Sequence, residues 1–217
     1  MSNQYDRGSS LELEDKNLVL TGTGQIPPTD VHVQFDDFNR GVITEGAYGW
    51  TLTAGAGGTA AVTTTAVVGG VARQLSSTTD DLLVEIKSDT ANWKASAGGL
   101  TFETRLRQVT SLADVAFCAG VANAGAYTTN TWTLSGTTYA DEGSLTDGAG
   151  FLFDTDATTD TVRCVSTEGS VLGTHANLGA FDSGVVPVVD TFIKLKLTVD
   201  TAGTVLYYIN DAYVGTV

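Results

Sequence analysis

Apolar and polar residues alternate with a period of two in several separate stretches of this 217-residue chain, and no convincing amphipathic helix interrupts them. Successive side chains of a strand point to opposite faces, so this alternation fits half-buried strands and not helices. In residues 100–107, Leu100, Phe102 and Leu106 alternate with Thr101, Glu103, Arg105 and Arg107. Leu82, Val84 and Ile86 alternate with Glu85 and Lys87 in the same way. Residues 115–121 differ, because Phe117 and Val121 face the small, uncharged Ala116, Cys118 and Gly120 across the strand, a pattern that predicts a central strand. Residues 151–153 and 162–165 flank Asp154, Asp156 and Asp160 and predict a hairpin with a polar turn. Short strands punctuated by glycine, asparagine and aspartate from residue 31 onward predict an all-β sandwich or barrel.

The length suits one β-sandwich with a core of its own, so residues 31–217 are expected to form a single domain. Residues 1–30 are polar, contain Pro27 and Pro28, and carry one short apolar stretch at residues 18–20. They read as an arm, which is disordered, adds a strand to a neighbour, or is a simple leader. Residues 54–70 are rich in small residues and threonine, so few large side chains set a register there. An edge strand or a loop held by neighbours is expected. The threonine-, glycine- and tyrosine-rich stretch between Asn123 and Gly148 is too long for a structureless connection. It predicts either a small extra hairpin or a surface finger, and Tyr127, Trp132 and Tyr139 mark it as a candidate partner or glycan contact.

Near the end of the chain, Ile193, Leu195, Leu197 and Val199 alternate with Lys194 and Lys196, and residues 200–203 supply a turn. An aromatic strand over residues 205–209 follows, then a second turn at Asn210 and Asp211 leads into Tyr213, Val214 and Gly215. The run FIKLKLTVDTAGTVLYYINDAYVGTV resembles the late hairpin of concanavalin A-like and laminin-G-like domains, with Asp211 where that family often has glycine. FDDFNRG at residues 35–41 and the Gly49-Trp50 pair are similar to the opening strand of such sandwiches in bacteriophage virion proteins. The resemblance implies an antiparallel jelly-roll β-sandwich with an extended N-terminal arm, in a capsid decoration (cement) or tail-associated protein. Members of the family close the sandwich with further strands, whereas here the last strand has barely begun at Gly215. A short final strand, a fragment, or pairing supplied by a neighbouring chain would each account for this.

The formal charge of −14 repels phosphate backbones, which argues against nucleic-acid binding. The two basic pairs, Lys194 with Lys196 and Arg105 with Arg107, alternate with apolar residues and read as solvated strand faces. No stretch has the length of apolar residues needed to span a bilayer, and the start lacks the apolar core of a secretory signal, so a soluble protein made in the cytoplasm is expected. Cys118 and Cys164 lie inside predicted strands and read as buried small hydrophobes in a reducing compartment.

Glucanases on concanavalin-like folds place catalytic acids in a Glu-x-Asp-x-Glu strand, and this chain has none; Glu85 and Glu103 are single acids. His32 and His175 lie near no nucleophile elbow, and two histidines with two widely spaced cysteines do not make a zinc site. Gly22 and Gly24 open no helix, and Gly55 to Gly58 lack a following lysine, so neither stretch cradles phosphate. Asp154, Asp156 and Asp160 are candidate oxygen ligands for calcium, although without the glycine and terminal glutamate of an EF-hand loop such a trio is more often a solvated hairpin tip. A non-catalytic virion structural protein is therefore expected. Its expected partners are the major capsid protein and further copies of itself, with no nucleic acid or membrane involved. The alternative is a carbohydrate-binding module stacking sugars on Trp50, Trp93, Trp132 or Tyr139.

Overall fold

The computed structural model describes residues 50–54, 59–63, 71–75, 84–88, 99–109, 111–123, 131–141, 145–169, 171–172 and 180–217. The chain divides into two compact units, Val42–Ala61 with Ala72–Val217, and Met1–Gly41 with Val62–Val71. All packing described below lies within the first. The boundary expected at residue 30, the FDDFNRG segment, Tyr127, Trp93 and both histidines fall outside the described residues.

The described residues contain no helix. The strands are β1 (Trp50–Ala54), β2 (Thr59–Thr63), β3 (Val71–Leu75), β4 (Val84–Ser88), β5 (Leu100–Leu106), β6 (Ala116–Ala122), β7 (Trp132–Ser135) and β8 (Thr138–Asp141). There follow β9 (Gly148–Asp154), β10 (Arg163–Glu168), β11 (Val171–Leu172), β12 (Ala180–Asp182), β13 (Ile193–Val199), β14 (Val205–Ile209) and β15 (Ala212–Thr216). β1 pairs antiparallel with β4, which contains the alternating Val84 and Ile86. β2 lies in the stretch of small residues, in keeping with its high threonine content.

Two antiparallel sheets carry the architecture, which is that of a β-sandwich. One has the order β15-β14-β13-β5, and the other β11-β10-β9-β6, with β12 also paired to β10. In the first sheet the alternation seen in the sequence of β13 is borne out, with Ile193, Leu195 and Leu197 buried. In β14, an apolar run throughout, Val205, Tyr207 and Ile209 are the residues that turn inward. They meet Ala149 and Phe151 of β9 and Cys164 of β10 from the other sheet in one core, with Phe102 and Leu106 of β5 packed against it. Tyr207 spans the space between the sheets: its ring packs edge-on against Phe151 and Phe181 at 5.4 and 5.7 Å, and its hydroxyl donates to the Val165 carbonyl at 2.6 Å.

The turn at Asp200 forms as anticipated, with its Oδ1 accepting the N–H groups of Ala202 and Thr204. Asn210 and Asp211 both take left-handed backbone angles, φ 50° and 66°, the geometry of a I′ hairpin turn. Asp211 accordingly stands in a conformation that glycine adopts more readily. The final strand is fuller than the sequence suggests. β15 pairs along β14 with one bulge, and Val217 exchanges two backbone hydrogen bonds with Val205 at 2.8 and 3.0 Å.

β6 corrects a second expectation. Among the described residues it pairs only with β9 and lies at the end of its sheet. The central strand is β9, whose side chains are buried on both faces from Ala149 to Asp154. Ala149 and Phe151 enter the inter-sheet core, whereas Leu152 enters a second cluster on the outer face with Trp132, Leu134, Leu145, Val165 and Ala180. The β7–β8 hairpin supplies that cover. Its two-residue turn has Gly136 at φ 62° in the first loop position, where a II′ turn requires glycine.

Candidate interaction surface

Within the stretch expected as a hairpin or a surface finger, residues 132–141 form a hairpin that packs on β9. Trp132 is only 2% exposed. Its indole Nε1–H donates to Thr167 Oγ1 at 3.0 Å, and its backbone carbonyl accepts the Cys118 thiol at 3.3 Å. The ring sits over Gly148 and Gly150, where added Cβ atoms would come within 3.0 and 2.7 Å of it. Trp132 is thus a core residue and not a stacking platform, because β9 presents a glycine floor on which an indole fits. Tyr139, across the hairpin from Leu134, is half-buried; burial, only partly offset by the Arg163 charge, raises its pKa.

The three aspartates have separate roles. Asp154 is buried and accepts two backbone hydrogen bonds, from Leu134 N–H at 3.1 Å and Asp156 N–H at 3.0 Å. It fastens the hairpin to the end of β9. Asp156 and Asp160 are exposed on the turn between β9 and β10. Among the described residues no group of three or more His, Cys, Asp or Glu side chains is arranged to hold a metal ion. The tip of the hairpin is tied to the same turn, through Gly136 N–H to Asp156 O at 2.7 Å and Thr158 N–H to Gly136 O at 2.9 Å.

Both cysteine thiols are free and lie on opposite faces of one sheet, Cys164 in the inter-sheet core and Cys118 against the Trp132 cluster. Burial pushes the Cys118 thiol up to about 12 and the Cys164 thiol higher still. Desolved and distant from each other, they act as apolar packing groups.

The surface that stands out lies at one end of the sandwich, where the chain twice crosses between the sheets, over residues 107–115 and 183–192. Of the six large apolar side chains that are exposed among the described residues, five belong to these crossings: Val109, Val186, Val188, Val189 and Phe192. The second crossing is anchored on both sides. Val162 N–H donates to Val185 O at 2.8 Å, Pro187 is buried, and Asp190 N–H donates to Gln108 O at 2.7 Å, which joins the two crossings. The valines therefore project from a backbone that its own hydrogen bonds hold in place. Nothing in their alternation marks them in advance, but Val-Val-Pro-Val-Val is an apolar run whose proline disfavours an internal strand.

Charges border this apolar end on two sides. On the outer face of the four-stranded sheet the guanidinium groups of Arg105 and Arg107 lie 4.9 and 5.0 Å from the centre of the Phe192 ring, and Arg107 also pairs with Asp190 at 3.1 Å. Farther along that face Lys194 bridges Glu103 and Asp211 at 3.3 and 2.7 Å, which raises its pKa, and Lys196 sits over Tyr208. Toward the other sheet, exposed Asp114 adjoins the turn bearing Asp156 and Asp160, since Val115 and Thr155 exchange hydrogen bonds at 3.0 and 3.2 Å. Behind that turn Arg163 pairs with Asp182 at 2.8 Å.

Comparison of the chain with family models, with curated proteins and with solved structures finds no match.

Proposed function

We propose that this chain is a non-catalytic assembly module, a jelly-roll sandwich of the concanavalin A-like kind that decorates or cements a bacteriophage capsid or tail through strand and loop contacts. The observation that carries the assembly reading is the gathering, among the described residues, of five of the six exposed large apolar side chains at one end of the sandwich. Exposed apolar residues scattered singly are ordinary, whereas a cluster bordered by charge is the usual make-up of a protein contact. The assignment to a virion rests on the likeness of residues 35–41, Gly49-Trp50 and the late hairpin to phage sandwich proteins. An arm formed by residues 1–30 would add a second attachment.

The carbohydrate-binding reading is weakened by the burial of Trp132, which removes its best-placed stacking ring. Density-gradient fractionation of phage particles from the source culture, followed by immunoblotting, tests the virion reading. Co-migration of the protein with particles is expected. Its confinement to the soluble fractions would overturn the proposal.

A further inference from the structure

We propose that the outer face of the β15-β14-β13-β5 sheet binds a saccharide bearing carboxylate groups, seated on Tyr208 and Tyr213 with its charge on Arg105 and Lys196. The site goes beyond the assembly reading and stands without it. Neither the exposed valines nor Trp132 takes part.

Charge is spread unevenly over this part of the chain. Residues 99–217 hold five cationic side chains against thirteen acids. Four of the five, Arg105, Arg107, Lys194 and Lys196, lie on β5 and β13 or directly beside them, and only Arg163 lies elsewhere. Three acids answer them: Asp190 pairs with Arg107, while Glu103 and Asp211 share Lys194. Glu103 stands opposite Lys196 in the ladder, yet its carboxylate goes to Lys194. Arg105 stands opposite Lys194, an arrangement of like charges that costs stability when nothing offsets it. Among the described residues no acid pairs with Arg105 or Lys196; each cation lies over a ring instead, Phe192 at 4.9 Å and Tyr208 at 5.5 Å. Two unanswered cations on one face of a chain of formal charge −14 are a local seat for an anion. A nucleic acid is a poor occupant, because its dense phosphates would meet the acidic remainder of the surface.

The rings decide the rest of the chemistry. The strand registers set Tyr213, Tyr208, Lys196 and Glu103 in one row across four strands, which at the usual strand spacing spans about 14 Å. Tyr213 is 56% exposed, and its ring meets Tyr208 edge-on at 5.7 Å. The backbone groups of β13 and β14 are engaged in ladders on both sides, so a peptide laid over this face would find no main-chain partners. A pyranose needs none. Its C–H face packs on an exposed tyrosine ring, its hydroxyls exchange hydrogen bonds with the phenols and with Glu103, and its carboxylate accepts from the Arg105 guanidinium and the Lys196 ammonium.

A glycan array carrying uronate- and sialate-bearing glycans beside neutral ones tests the proposal with the full chain, followed by calorimetry on the strongest binder. Binding confined to the carboxylate-bearing glycans is expected. Arg105→Gln with Lys196→Gln, which keeps much of both stems, should weaken it about tenfold or more, the loss of a charge-assisted hydrogen bond. Tyr213→Ala should weaken it similarly, and both proteins should keep the wild-type circular dichroism spectrum because the altered side chains are on the surface. Absence of binding to every acidic glycan, equal binding of neutral ones, or an affinity unchanged in both variants would overturn the proposal. Poly-glutamate binding as tightly as the glycan would overturn it too, since charge alone would then account for the contact.

Discussion

Replacing Trp132 by alanine separates two roles for this residue that the sequence alone does not distinguish. If its ring were a surface contact, the change would abolish binding and leave stability nearly untouched. The structure requires the opposite. The side chain is 2% exposed, lies on Gly148 and Gly150, and packs in a cluster with Leu134, Leu145, Leu152, Val165 and Ala180. Those neighbours cannot close the gap, because β9 is held between β6 and β10 by its ladders. Truncating a buried tryptophan in such a setting costs roughly 3 to 5 kcal/mol, the transfer term and the cavity term together. In a domain of this size that lowers the melting temperature by roughly 6 to 20 °C. Trp132→Phe retains most of the apolar contact and loses the indole donor to Thr167, so its cost should be nearer 1 to 2 kcal/mol, as order-of-magnitude values for one buried hydrogen bond and a smaller ring. Urea unfolding followed by circular dichroism measures both. A loss below about 1 kcal/mol for Trp132→Ala, within the range of ordinary surface substitutions, would refute the packing argument.

Four other outcomes follow from the geometry. Tyr207→Phe removes the hydroxyl that donates to Val165 O across the core and should cost about 1 kcal/mol in the same urea assay, without loss of the fold. Gly215→Ala places a Cβ 2.3 Å from the Phe181 ring, so it should destabilise by roughly 1 to 3 kcal/mol; combined with Phe181→Leu it should cost less than the two single changes added together. Burial raises both thiols and the Tyr207 hydroxyl, so the folded chain holds protons that the unfolded chain releases as pH climbs above the ordinary thiol value of 9.0. The stabilisation is complete below that value and declines as pH rises through about 12, so urea midpoints should fall across this window. In the native protein near neutral pH, both cysteines should resist alkylation and react only after unfolding.

The strands with one wet face were legible from the sequence. In β5 and β13 a period-two pattern with polar and charged residues on the outer face leaves a single register that buries Leu195 and Leu197, whereas the all-apolar run of β14 did not show that Tyr207 and not Tyr208 turns inward. The turns at Asp200 and Asn210-Asp211 were equally clear, because they depend on local side-chain acceptors and left-handed backbone. The candidate surface was not. An exposed Val188 and a buried Leu195 have the same chemistry, and only the crossing of the chain between sheets puts one outside and the other inside.

What the sequence determined by itself is the all-β character and the inward faces of the alternating strands β5 and β13, since alternation acts through nearest neighbours along one strand. Tertiary structure alone decided that β9 rather than β6 is central, that Trp132 is core, and that Asp154 is an internal hydrogen-bond acceptor. Each of these depends on which distant segment arrives: the glycines of β9 admit the β7–β8 hairpin, and the hairpin then brings Trp132 and the Leu134 N–H to their partners. A chain pattern records which residues avoid water, but a residue with both neighbours apolar gains its partners only from the fold.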